Sequence, residues 1–223
     1  DFVYISCGTW SLFGTELDEP ILKPEAMNSS FTNEGGYDGS IIFLKNIMGM
    51  WIFQETCRRW KREGKEIDYK VLDAAAAEAA PFRSFINPDD PAFSPFGNMP
   101  KRIKEFCERT GQPVPETDGE ICRCIYQSLA MKYRQALENL EKITGKTYDR
   151  IHMVGGGINN KLVCQFAADF CNRTVYAGPI EATATGNAIA QLIALGEISD
   201  VWEARKIIAD NTDMAIYTPN PTE

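Results

Sequence analysis

The sequence predicts an α/β fold, a largely parallel sheet with helices packed over it. From Ile151 onward, short β-rich apolar stretches alternate with helical ones in the order β-α-β-α, which builds a parallel sheet. The run Ile151-His152-Met153-Val154-Gly155-Gly156-Gly157-Ile158-Asn159-Asn160 reads as a strand, three glycines and the start of a helix. Far away in sequence, residues 2–6 and 12–17 read as a hairpin around Cys7-Gly8-Thr9-Trp10-Ser11. These two glycine-bearing turns are expected to be halves of one nucleotide site.

The elements follow in chain order. After the hairpin, Pro20 and Pro24 break the strand pattern, and residues 31–36 read as a strand running into Gly35-Gly36. Residues 40–59 carry Ile41, Ile42, Leu44, Ile47, Met48, Met50, Trp51, Ile52 and Phe53, and the reading is one long, mostly buried helix. On that helix Asn46 and Gln54 would stand about 80° apart in rotation and about 12 Å apart along the axis. They read either as solvated amides or as two groups facing a cleft. Residues 68–80 form an alanine-rich amphipathic helix, residues 81–100 an irregular proline-bearing segment, and residues 99–110 a short helix stopped by Gly111. Thr117 or Asp118 caps a long helix that ends at Gly145, with Ile125, Leu129, Tyr133, Leu137 and Leu140 as its apolar stripe. Beyond the glycine turn come a helix over 159–171, a strand over 173–177, a turn at Gly178-Pro179, a helix over 181–195, a last helix over 202–209 and a loose tail.

Composition excludes several classes. The 223 residues hold 44% hydrophobic and 24% charged residues, enough for a sizeable core. A net charge of −8, from 31 acidic and 23 basic residues, argues against non-specific nucleic-acid binding. It is compatible with ATP, whose phosphates Mg²⁺ and backbone amides can carry. Seven cysteines without zinc spacing and a single histidine argue against a His/Cys metal centre. Most of the cysteines are expected as reduced core residues, with a Cys107–Cys124 bridge left open. The reduced cysteines suit a cytoplasmic protein, and with no signal peptide and no apolar run of membrane length no membrane contact is expected. The chain starts at Asp1 without a methionine and enters a strand at once, as a fragment of a longer polypeptide would.

The candidate site residues each have an ordinary alternative. Three consecutive glycines exceed the needs of a tight turn and let a flat ligand lie on bare main chain beside a helix N-terminus. A dinucleotide fingerprint fails, because Asn160 stands where a small residue is required. Gly8-Thr9 offers amides and a hydroxyl to an anion, although ordinary turn chemistry accounts for it equally well. Gly186 inside a helix costs roughly 1 kcal/mol against alanine and points to close packing, against another helix or a ligand base, the helix being favoured. His152 reads as a core histidine, and Trp10, Trp51, Trp60 and Trp202 as packing residues. No GxSxG elbow for a serine hydrolase is present.

Four strings, taken together, resemble the FGGY carbohydrate kinase family, one of the actin-like ATPases. They are Ile5-Ser6-Cys7-Gly8-Thr9-Trp10-Ser11-Leu12, Leu44-Lys45-Asn46-Ile47-Met48-Gly49-Met50-Trp51, Val154-Gly155-Gly156-Gly157 and Gly178-Pro179-Ile180-Glu181-Ala182-Thr183-Ala184-Thr185-Gly186-Asn187. The resemblance implies a ribonuclease H-like domain, a mixed sheet flanked by helices, over residues 1–210. An irregular insert would span about 61–120, and residues 211–223 would be a tail. The domain would be the C-terminal, nucleotide-binding half of a two-domain sugar kinase. Thr9, with Gly8, would be the phosphate loop. Asn46 and Gln54 would contact the nucleotide, and Gly155, Gly156 and Gly157 would form the adenosine loop with Asn159 or Asn160 at its edge. The implied reaction moves the γ-phosphoryl of ATP, with Mg²⁺, to the 1-hydroxyl of L-rhamnulose. The general-base aspartate, the first phosphate loop and most sugar contacts would lie upstream of this chain, so the fragment alone is expected to be inactive. The alternatives are a kinase for another ketose, a non-catalytic nucleotide-binding module of the same superfamily, and a Rossmann-type module.

Overall fold

The structure is a computed structural model and describes residues 2–220. One seven-stranded mixed sheet forms its centre, in the order β3-β4-β2-β1-β5-β6-β7. Here β1 is Val3–Cys7, β2 Trp10–Leu17, β3 Thr32–Gly35, β4 Ile41–Met48, β5 Arg150–Val154, β6 Thr174–Ala177 and β7 Ala215–Tyr217. The pairs β1·β5 and β5·β6 are parallel, and the remaining pairs are antiparallel. The sheet is thus less parallel than the β-α-β-α order alone predicts. The order holds from β5 onward, but three antiparallel strands, in the order β2, β4, β3, extend the sheet on the far side of β1.

The helices are α1 (Pro24–Asn28), α2 (Trp51–Arg62), α3 (Tyr69–Glu78), α4 (Met99–Arg109), α5 (Asp118–Thr144), α6 (Lys161–Cys171), α7 (Ala182–Ala194) and α8 (Val201–Asn211). The spine is α5. Thr117 Oγ1 accepts from the Glu120 N–H at 3.2 Å, while the Glu120 carboxylate accepts from the Thr117 N–H at 3.0 Å. This reciprocal cap opens the helix, and Gly145 closes it at φ 72°. Its stripe of Ile125, Leu129, Tyr133, Leu137 and Leu140 is buried. Tyr133 hydrogen-bonds Ser11 at 2.6 Å, tying the helix to the hairpin.

The helix expected over residues 40–59 is two elements. Residues 41–48 pair along their whole length with β2, from Leu17↔Ile41 to Trp10↔Met48, and only then does α2 begin. Hydropathy alone cannot separate a strand buried on both faces from a buried helix, and here the pairing with β2 decides. Gly49 makes the break. A Cβ there would stand 2.7 Å from the Ser11 hydroxyl and 2.8 Å from the Gly8 carbonyl oxygen. Asn46 is therefore a strand residue, and the helical angle between it and Gln54 does not apply.

Further differences are local. The tail expected to be loose carries β7, which closes the sheet edge against β6; residues 221–223 of that tail lie outside the described residues. The stretch 61–120 holds α3 and α4, close to the helices expected over residues 68–80 and 99–110, and buries Leu72, Phe93, Met99 and Ile103. Gly186 meets nothing within 4 Å and no residue of α7 is buried, contrary to the close packing expected of it. Trp60 is buried, but Trp10 and Trp202 are 53% and 69% exposed rather than packed. All seven cysteines are buried free thiols, Cys107 and Cys124 included. Among the described residues, no helix is long and apolar enough to cross a membrane.

Candidate functional site

The parallel pairing of β1 with β5 brings the two glycine turns together. Ser6 is in register with Val154, so both strands end at the same edge of the sheet and their turns emerge side by side. Gly155 adopts φ 90°, a region open mainly to glycine, and a Cβ there would sit 2.8 Å from the Cys7 carbonyl oxygen. Gly157 is pressed against the same residue, with a virtual Cβ 2.8 Å from that oxygen and closer still to the Cys7 sulfur. Gly156, between them, is exposed and meets nothing within 4 Å. Two of the glycines are thus required by packing. The third leaves its face open.

The hairpin tip is fixed from its other side by the start of α2. The Thr9 carbonyl accepts from the N–H groups of Gly49 and Trp51, both at 3.1 Å, and the Gly8 carbonyl accepts from Met50 at 2.9 Å. The Thr9 hydroxyl donates to Gln54 Oε1 at 3.2 Å, one turn into α2. These bonds hold the exposed Thr9 side chain on the wall of a crevice of about 470 Å³.

That crevice is lined by Gly8, Thr9, Met50, Phe53, Gln54, Tyr69, Asp73, Gly156, Gly157, Asn159 and Asn160. Six of the expected site residues therefore share one cavity: Gly8, Thr9, Gln54, Gly156, Gly157 and Asn160. An adjoining basin of about 610 Å³ is lined by Ser6, Cys7, Trp10, Leu12, Asn46, Gly155, Ile180, Glu181 and Thr183, and again by Gly8 and Gly156. Asn46 and Gly155 belong to this basin and not to the crevice. Asn46 lies on β4 opposite Leu12 of the hairpin and lines this basin, whereas Gln54 lines the crevice. Gly8 and Gly156 form the saddle between the two hollows.

Sequence reasoning missed the far wall of the crevice. Tyr69 and Asp73 come from α3, one turn apart, and Phe53 from α2. The Phe53 and Tyr69 rings lie 5.8 Å apart, tilted by 50°. Asp73 Oδ1 accepts from Tyr126 Oη at 2.8 Å and from Asn160 Nδ2 at 2.9 Å. Burial pushes the Asp73 carboxyl above the usual carboxylate range, and these two bonds pull against that rise. Asn160 is committed within the chain, since its Oδ1 also caps α6 by accepting from the Val163 N–H at 3.0 Å. It shapes the wall and holds Asp73. Asn159, which is exposed, donates to the Gly156 carbonyl at 3.1 Å and edges the turn. No local pattern could have marked Asp73, because α3 has the look of an ordinary alanine-rich surface helix.

His152 is flanked by aromatic rings, with Phe2 edge-on at 5.7 Å and Tyr176 stacked at 5.4 Å. Burial, then the neighbouring Arg150 charge, lowers its pKa. It is a packing histidine and lines neither hollow. Among the described residues no group of three or more His, Cys, Asp or Glu side chains could hold a metal ion.

The crevice offers bare main chain, a hydroxyl and two aromatic rings on its walls. Residues 3–195 match the model of the FGGY family of carbohydrate kinases, C-terminal domain. The chain belongs to the FGGY family of carbohydrate kinases. Within it, the chain is 44% identical over 219 residues to the rhamnulokinase of Bacteroides thetaiotaomicron, covering 98% of this chain and 44% of that one. It is 42% identical over 218 residues to the rhamnulokinase of Bacillus subtilis, with 98% and 44% covered. The rhamnulokinase of Enterococcus faecalis is 44% identical over 225 residues, with 100% and 45% covered. The chain thus spans less than half the length of these FGGY relatives and corresponds to their C-terminal part. Solved FGGY structures share the fold. A gluconate kinase from Lactobacillus acidophilus superposes with a TM-score of 0.69 at 16% identity, covering 99% of this chain and 43% of that one. The glycerol kinase of Plasmodium falciparum with ADP gives 0.66 at 11%, with 98% and 43% covered. The actin-like α/β architecture that the sequence strings imply is the one these structures share.

Proposed function

We propose that this chain is the nucleotide-binding half of a kinase that transfers the γ-phosphoryl of ATP to the 1-hydroxyl of L-rhamnulose. The observation that carries the nucleotide part is the single crevice shared by the Gly8-Thr9 turn and the Gly156-Gly157 turn. The purine lies on the open face of Gly156, between it and the rings of Phe53 and Tyr69. The phosphate tail runs to the saddle at Gly8, where the Thr9 hydroxyl and turn amides face it. The γ-phosphate then enters the neighbouring basin beside Asn46, and there it meets the sugar.

The sugar assignment is supported by the rhamnulokinase names of the relatives at 42–44% identity. Magnesium enters with the nucleotide as part of the substrate. With Asp73 as its one carboxylate, the crevice holds too few acidic ligands for a protein cage, so the ion enters hydrated on phosphate oxygens. This half positions the nucleotide and shields its purine. The proton-accepting aspartate and most sugar contacts belong to the preceding domain, so phosphoryl transfer needs both halves. All seven cysteines being free thiols supports work in the reducing cytoplasm.

An ADP-release assay tests the proposal. The full-length protein turns over ATP with L-rhamnulose in preference to D-xylulose or L-fuculose, and the 223-residue chain alone turns over none. Preference for another ketose would move the assignment within the family. Sugar-independent binding without turnover would make the protein a non-catalytic module.

A further inference from the structure

The Asp73 carboxylate has a half that the fold does not use. Both hydrogen bonds it receives, from Tyr126 and from Asn160, end on Oδ1. Among the described residues Oδ2 has no hydrogen-bond partner, and Asp73 lines the crevice. An ionised carboxylate oxygen is an acceptor only, so the ligand group it suits is an N–H or O–H donor. The two bonds on Oδ1 fix the carboxylate in place, which is the condition for reading a ligand rather than merely attracting it.

The position of Asp73 narrows that donor. Thr9 is tied to Gln54, whereas Asp73 is tied to Tyr126 and Asn160 on the walls that Phe53 and Tyr69 build. A carboxylate near the phosphates would repel them, and its neighbours Tyr69 and Phe53 are flat apolar walls suited to a base. Resting on the nucleotide reading above, we infer that Asp73 Oδ2 accepts a hydrogen bond from the exocyclic 6-amino group of adenine and selects ATP against 6-oxopurine nucleotides. A 6-oxo group presents a second acceptor to the carboxylate, and two facing acceptors repel. The substitution Asp73→Asn inverts the preference at that one atom. Its Oδ1 still accepts from Tyr126 and Asn160, while its amide nitrogen replaces Oδ2 and donates to an oxo group.

The test is calorimetric titration of the full-length protein with ATP, ITP, N6,N6-dimethyl-ATP and 2′-deoxy-ATP in the absence of sugar. The wild type binds ATP at least about tenfold more tightly than ITP or the dimethyl analogue, the size expected of one hydrogen bond to a charged group. In D73N the ATP-to-ITP ratio narrows to below about threefold, chiefly through tighter ITP binding. Equal ATP and ITP affinity in the wild type overturns the inference without recourse to any variant. So does a ratio unchanged in D73N. If D73N instead alters only the discrimination against 2′-deoxy-ATP, the carboxylate holds the ribose and the base assignment falls. If the wild type binds none of the four nucleotides, the failure lies with the nucleotide reading itself.

Discussion

Gly157 rests directly on Cys7: a Cβ added to the glycine would stand 2.8 Å from the Cys7 carbonyl oxygen, and the Cys7 sulfur is nearer still. This contact joins two turns that lie about 150 residues apart in sequence. It also separates the roles of neighbouring glycines, since Gly156 meets nothing.

Gly157→Ala therefore costs about 2 kcal/mol of unfolding free energy, through forced displacement of the Cys7 backbone. Gly156→Val leaves stability within about 0.5 kcal/mol. It weakens nucleotide binding by about tenfold or more, because its side chain occupies the face on which we propose the purine to lie. Urea unfolding and calorimetry on the same two variants check this. A Gly156→Val protein with unchanged ATP affinity would remove the base from this turn.

Thr9 is assigned to the phosphates and not to the base, and Thr9→Val tests the distinction. The substitution keeps the volume and removes the hydroxyl that donates to Gln54. ATP affinity falls by about five- to tenfold while adenosine affinity stays within about twofold. Equal losses for the two ligands would place Thr9 beside the nucleoside.

His152 gives the fold a pH-dependent component. Burial and Arg150 lower its folded pKa below the ordinary value of 6.5, so the folded state favours the neutral ring. The unfolded chain binds the proton more readily, and stability is lost as pH falls below about 6.5 and through the folded value. His152→Phe keeps an aromatic ring between Phe2 and Tyr176 and abolishes this share of the slope. Urea midpoints at pH 7.5 and pH 5.5 for wild type and variant measure it. Identical slopes would contradict the assignment.

Glu55 anchors α2 to the loop before α4. Its side chain is 0% exposed and accepts from Arg58 at 2.9 Å and from the Gly97 N–H at 3.0 Å, with Arg62 at 3.7 Å. Burial raises the carboxyl pKa, but the Gly97 bond and the two arginines outweigh it and hold the group below its usual 4.5. The stability this provides is present above pH 4.5 and is lost as pH falls through the lowered value. Glu55→Gln should cost about 2 kcal/mol at pH 7, with the difference from wild type shrinking below pH 4.5. Thermal unfolding across that range checks both parts.

Local signals in the sequence were sufficient for much of this protein. The Thr117–Glu120 cap, the stripe from Ile125 to Leu140 and the Gly145 stop define α5, because helix ends and periodicity are written in nearby residues. The strand-glycine-helix unit at 151–160 and the hairpin at residues 2–17 were legible for the same reason, and their motif strings pointed to the family. The tertiary structure alone decided that residues 41–48 are a strand, since an apolar run takes its form from the partner that buries it, here β2. It alone placed Asn46 in the outer basin, apart from Gln54, and added β7 to the sheet edge. It alone brought Asp73 to Asn160 across 87 positions. Such a pairing leaves no trace in local sequence, because the energy that fixes it comes from the packing of α3 on α5 and not from either residue's neighbours in the chain.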